Sequence, residues 1–133
     1  MIVLLTAVVL AGCGGSAAKP RSAHRPAPAQ TFTYADNGRT VTLGVGRRAL
    51  VKLDTLDWYI DAVSGSALRA VGPQRSVHIL KGCGAPQGCG YMELTVDAVA
   101  PGRSVVRAQR GLCGELFICP RKLRKFALTV VVH

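Results

Sequence analysis

Acidic residues are scarce in this chain. Seven Asp and Glu stand against seventeen Lys and Arg, a net charge of +10 over 133 residues. Such a field favours anionic partners and governs encounter and solubility without determining the fold. Histidine is scarcer still, with only His24, His78 and His133, and no Ser or Cys lies in a recognisable nucleophile turn. The convergent groups that catalysis requires are therefore missing, which argues against an enzyme and against a cofactor. Asp54, Asp57 and Asp61 come close together but lack the Gly and the closing Glu of a calcium loop, so they read as a solvated loop and no metal site is expected. Aromatics make up 5% of the chain, so any core is aliphatic. No stretch sustains a 3.6-residue period over ten residues, which speaks against helices. The one long apolar run, Met1 to Leu10, falls short of the roughly 20 residues that cross a hydrocarbon core as a helix.

That run ends in Leu10-Ala11-Gly12-Cys13, a tetrad that resembles a bacterial lipobox. The resemblance implies a signal peptide over residues 1–12, removed before a Cys13 that carries diacylglycerol. The expected location is the extracytoplasmic face of the cell membrane, held by acyl chains that together bind far better than one alone. No Lys or Arg precedes the apolar run, so the amino terminus alone supplies the positive end. Residues 13–30 hold Gly, Ser, Ala, Pro20, Pro26, Pro28 and the basic Lys19, Arg21 and Arg25, with no large apolar residue, and read as a disordered tether. Near an anionic leaflet each basic residue there would contribute about 1 kcal/mol of attraction. Nucleic acid could satisfy the same charge, but an exported, anchored protein does not meet it.

With Cys13 given to lipid, Cys83, Cys89, Cys113 and Cys119 form an even set in an oxidising compartment, and two disulfides follow. The two C-x5-C spacings favour Cys83 with Cys89 and Cys113 with Cys119, while crossed pairings stay open if the two loops lie side by side. Structural zinc uses narrower C-x2-4-C pairs.

From Thr31 onward, short β-like runs alternate with Gly, Pro, Asn and Asp. Thr31 to Tyr34 precedes Asp36-Asn37-Gly38, a hairpin-type turn. Arg39 to Val45 places Val41, Leu43 and Val45 on one side, Gly46 turns, and Arg47 to Leu53 places Ala49, Val51 and Leu53 inward. Trp58 to Ile60, Ala67 to Val71 and Arg75 to Leu80 are shorter candidates. In Gly90 to Ala98, Met92, Leu94, Val96 and Ala98 face one way and Glu93, Thr95 and Asp97 the other. Pro101-Gly102 turns the chain into Arg103 to Arg110, and Lys125 to Val132 closes it. The expected fold is all-β: an Ig-like antiparallel β-sandwich of seven or eight strands over residues 31–133, with two disulfides.

Two surface features are candidates for binding. Trp58 beside Tyr59 offers an aromatic recognition patch, although a lone Trp in such a sandwich more often packs between the sheets. Arg121, Lys122, Arg124 and Lys125 form the densest charge run, either a solvated hairpin tip or a patch for anionic polymer or membrane.

The stretch from Gly90 to Val106, a strand, then Ala-Pro-Gly, then a strand, resembles a pattern shared by bacterial Ig-like domains and chagasin-like inhibitors of papain-type cysteine proteases. Thr40 to Gly46 is similar to the opening strand and turn of the latter. The resemblance implies an Ig-like sandwich that inserts three loops from one end into a protease cleft. The inhibitors' Asn-Pro-Thr-Thr-Gly loop is replaced here by Asp54-Thr55-Leu56-Asp57, and their Arg-Pro-Trp loop by the cysteine-bearing Leu112 to Pro120. The late Gly-Cys…Cys-Gly and Cys-Gly-Glu…Cys pairs are similar to those of small actinobacterial lipoproteins, a family that brings no activity with it. The chain therefore reads first as a membrane-anchored, non-enzymatic binding or envelope-structural module, with anionic wall polymer or an envelope protein as partner. The alternative is a chagasin-like inhibitor. Oligomeric state is not written in the sequence.

Overall fold

Period-two alternation, with Val, Ile and Leu on alternate positions, builds strands that each bury one face. The structure is a computed structural model that describes residues 30–84, 89–113 and 117–133. The signal peptide, Cys13 and the tether expected from the sequence lie outside the described residues.

Among the described residues nine strands run in order: β1 Gln30–Thr33, β2 Thr40–Leu43, β3 Arg48–Leu53, β4 Tyr59–Gly65, β5 Leu68–Ala70, β6 Arg75–Ile79, β7 Cys89–Ala98, β8 Gly102–Gln109 and β9 Lys125–Val132. They form two sheets. The first has the order β1-β3-β7, with β5 and β6 following one another along the free side of β7; the second has the order β2-β9-β8-β4. Residues facing inward from both sheets, among them Ala49, Val51, Leu53, Val96, Val106, Leu128 and Val130, are wholly buried and make an aliphatic core. This is the all-β sandwich with two disulfides that the sequence implied.

The details depart from expectation in three places. The edge pairs β1–β3 and β2–β9 are parallel, so the sandwich is not purely antiparallel. Asp36-Asn37-Gly38 is not a hairpin turn but a crossover that carries the chain from one sheet to the other. Gly38 takes the positive φ of 76° that its turn chemistry promised. Asn37, however, reaches across to β9: its amide donates to the Lys125 carbonyl at 3.1 Å and its oxygen accepts the Ala127 N–H at 2.9 Å. Val45 is 48% exposed instead of inward, because β2 ends at Leu43 and the Gly46 turn carries the chain to the other sheet.

The free edge of the first sheet is interrupted between β5 and β6 by Val71, Gly72, Pro73 and Gln74. A proline has no N–H for a ladder and suits an edge. Gln74 accepts the Ile60 N–H at 2.7 Å, fastening this edge to β4 of the second sheet. On the outer face of the first sheet two ion pairs form. Arg48 grips Asp97 with both Nε and Nη2, at 2.6 and 2.8 Å, and Arg75 covers Glu93. That cover leaves Glu93 only 9% exposed although it points away from the core. The hydrogen bond to Asp97 also pushes the Arg48 pKa further above its ordinary value.

Candidate functional site

Strand register gathers the long connections at one pole. Leu53, at the end of β3, faces Met92 near the start of β7; Ile79, at the end of β6, faces Cys89; and Gln109, at the end of β8, faces both Tyr59 and Lys125. The loops over residues 54–58, 80–88 and 110–124 therefore share one end of the sandwich, of which residues 85–88 and 114–116 lie outside the described residues. The short turns over 44–47, 65–67 and 99–101 occupy the other end.

The foundation of the loop pole is an aromatic cluster. Trp58 lies 5.4 Å from Tyr34 and 6.5 Å from Phe126, centroid to centroid, the latter contact edge-on. Trp58 is 2% exposed, so the recognition-surface reading of this residue is corrected: it is core, and its indole N–H is satisfied by Asp54 Oδ1 at 2.9 Å. Tyr59, one residue on, points the other way and is 58% exposed.

Arg110 ties the cluster to the loops. Its guanidinium stacks 4.4 Å from the Trp58 ring and 5.5 Å from Tyr34. Its Nε donates to the Leu123 carbonyl at 2.9 Å, and Nη1 faces Asp54 at 3.9 Å, with the side chain only 9% exposed. A planar cation held against two rings and a carbonyl is fixed in orientation as well as position. Sequence reasoning passed over Arg110. The signal was its parity: Ser104, Val106 and Ala108 are buried on β8, and the next residue on that side is 110.

Each of the two flanking loops is closed by a disulfide. Cys83 bonds Cys89 with Cα atoms 5.6 Å apart, and Cys113 bonds Cys119 at 5.0 Å. Around the second bridge, Leu112 pairs with Ile118, and the Cys113 N–H donates to the Phe117 carbonyl at 2.9 Å. Cys119 is buried while its loop stands out. Gly90 shows how closely the loops pack on the sheet. A Cβ there would collide with the Val77 carbonyl and sit 2.8 Å from Leu56 Cδ2, so the 54–58 loop leans on the first residues of β7.

Between these loops runs an open groove of about 700 Å³, with Thr55, Leu56, Asp57, Gly90, Arg110 and Leu112 among its walls. The loops of this pole also expose large apolar side chains. Leu80 is 92% exposed, Phe117 74% and Ile118 71%. Exposed apolar side chains at one end of a small domain make that end a candidate interaction surface. Thr55 Oγ1, buried in the groove wall, has no hydrogen-bond partner among the described residues.

The basic run is not a hairpin tip. Arg121–Leu123 forms a 3-10 turn, Lys125 opens β9, and the two are separated by Arg124, whose Nε donates to the Cys119 carbonyl at 2.6 Å. Arg124 thus braces the second disulfide loop, leaving Arg121, Lys122 and Lys125 exposed beside it. Lys125 lies in one row with Gln109 and Tyr59 on the outer face of the second sheet. Among the described residues no group of three His, Cys, Asp or Glu comes together that could hold a metal ion. His78 and His133 are both exposed.

The fold recurs among solved structures. The solution structure of amebosin matches with a TM-score of 0.57 and 18% identity, over 80% of this chain and all of that one. The crystal structure of EhICP2, a cysteine protease inhibitor from Entamoeba histolytica, matches with a TM-score of 0.52 and 12% identity, over 80% of this chain and all of that one. The fold is the chagasin-like β-sandwich. At these identities the likeness establishes the fold alone. No protein-family model matches the chain, and no curated protein sequence does.

Proposed function

We propose that this chain is a non-enzymatic protein-binding module that wedges its loop pole into the cleft of a papain-type cysteine protease. The observation that carries the reading is the convergence of three loops, two of them closed by disulfides, on one end of a fold shared with the inhibitor EhICP2, with Leu80, Phe117 and Ile118 exposed there. The fold likeness supports the inhibitor alternative more than the binding or envelope-structural module that the sequence put first.

Binding of this kind works by occlusion. Loops held in place before encounter lose little conformational freedom on docking, so more of the contact energy appears as affinity. Disulfides and the Arg110 anchor supply that order here. The side chains that make contact are this chain's own, because the 54–57 and 112–120 segments differ from the inhibitors' loops. Phe117 and Ile118 are the natural anchors, since large apolar residues near the centre of an interface carry most of its energy.

The test is the rate at which a papain-type protease cleaves a peptide substrate with the disulfide-intact domain present. Reversible inhibition that Phe117→Ser together with Ile118→Ser relieves supports the reading. Full protease activity at micromolar domain, or undiminished inhibition by the double variant, contradicts it.

As to location, we propose attachment to the outer face of a membrane through a lipidated Cys13, a reading supported by the lipobox-like tetrad and by disulfides that suit an oxidising compartment. Labelled palmitate should enter the wild type and not Cys13→Ser. Equal detergent partitioning of the two would remove the anchor from the account.

A further inference from the structure

The pole opposite the loops is rigid and carries a charge of its own. Its turns are stitched together through the backbone: Gly46 N–H to the Ala98 carbonyl at 2.8 Å, Ala98 N–H to the Arg47 carbonyl at 2.9 Å, and Val99 N–H to the Ala67 carbonyl at 2.8 Å. On that frame stand Arg47, Arg69 and Arg103, all exposed and, among the described residues, without an ion-pair partner. The turns themselves carry no Asp or Glu; Asp97, on β7 beside them, faces Arg69 in register and is gripped by Arg48 with two hydrogen bonds. Val45 and Val99, 48% and 41% exposed, share a shallow hollow with Arg69 and the Arg48–Asp97 pair.

The chain also enters the fold here. Gln30 pairs with Ala49, beside the first residue of β3, so the segment that precedes it joins the sandwich at this pole, and that segment contains Lys19, Arg21 and Arg25 without any acidic residue.

We propose that this turn pole is a docking surface for an anionic lipid bilayer, with Arg47, Arg69 and Arg103 against the headgroups and Val45 and Val99 seated among them. Charge complementarity selects the partner, and the site of chain entry selects the pole. Arginines suit a phosphate surface, because each guanidinium bonds phosphate oxygens bidentately, and here Arg69 leaves the outer face of the first sheet and Arg103 that of the second, on either side of the turns. Docked this way, the sandwich holds its loop pole away from the membrane. The surface acts without an acyl chain and without regard to what the loops bind, so its failure and that of the inhibitor reading are separate results.

The experiment uses residues 30–133, a span that contains every core residue and both disulfides and therefore folds as a unit. Sedimentation with phosphatidylcholine vesicles is compared with sedimentation with vesicles containing about one third phosphatidylglycerol, at low and high salt, since screening removes surface attraction. Binding is expected only to the anionic vesicles and only at low salt. Each arginine replaced by Ser should weaken partition about fivefold, the value of one basic residue near an anionic surface, and the triple variant on the order of a hundredfold. Arg47→Lys, Arg69→Lys and Arg103→Lys together keep the charge and should still bind. A loop-pole variant, Arg121→Ser with Lys122→Ser and Lys125→Ser, should bind nearly as wild type does. No binding to anionic vesicles at low salt, wild-type binding by the triple Ser variant, or loss of binding in the loop-pole variant overturns the proposal.

Discussion

The two poles of the sandwich achieve rigidity by different means. At the turn pole the connections are short and backbone amides close them. Ser104 alone accepts the N–H groups of both Ala67 and Leu68 at 3.0 Å. At the loop pole the connections are long, and a few side chains hold them: two disulfides, Trp58 beneath, and Arg110 reaching from the rings to Leu123 and Asp54. Backbone closure fixes the chain path at one end through short turns. Side-chain anchoring leaves most loop positions at the other end free to vary while their frame stays put, which is what a binding surface needs.

The sharpest way to break this contrast is to remove the anchor. Arg110→Leu forfeits a charge-assisted hydrogen bond and the stacking on Trp58, and should cost about 3 kcal/mol of stability, read from the urea midpoint. An unchanged midpoint would mean that Arg110 merely lies over the rings. The turn-pole counterpart is Ser104→Ala, which strands two buried amides and should cost about 2 kcal/mol. Amide exchange should then rise around Ala67 and Leu68 while the loop pole keeps its protection. A spread of the effect to the loops would show that the poles are not independent.

How far all this could be read beforehand depended on the kind of signal. Gly90 to Ala98 was legible because period-two alternation reports directly on a half-buried strand, and it became a strand with the expected faces; Lys125 to Val132 became the closing strand. Asn37-Gly38 misled because turn chemistry reports the local φ and says nothing of which strands lie on either side. The loop pole was the least legible part. Tyr34, Trp58 and Phe126 are far apart in the chain, and only the crossovers bring their rings together. An arginine likewise reads as surface until its parity on the strand is noticed. The cysteine spacing pointed to local loops but not to their sharing one end.

Smaller effects sharpen the contrast further. Replacing Cys113 and Cys119 together by Ser should cost about 2 kcal/mol on the chain-entropy account of a short loop. Binding should suffer more than stability does, because Phe117 and Ile118 lose their frame; equal losses in both would deny the loop a recognition role. Phe117→Ser, at an exposed position, should leave stability within about 0.5 kcal/mol of wild type while weakening any complex made by the loop pole. A fall in thermal midpoint with binding intact would make Phe117 a packing residue after all.

The most direct test of the division between poles is amide exchange on the disulfide-intact domain with and without a papain-type cysteine protease whose catalytic thiol has been reversibly blocked. The account predicts new protection at residues 54–57, around Leu80 and from Leu112 to Ile118, with exchange at the 44–47, 65–67 and 99–101 turns unchanged. Protection confined to those turns, or none anywhere at protease in excess, would contradict it.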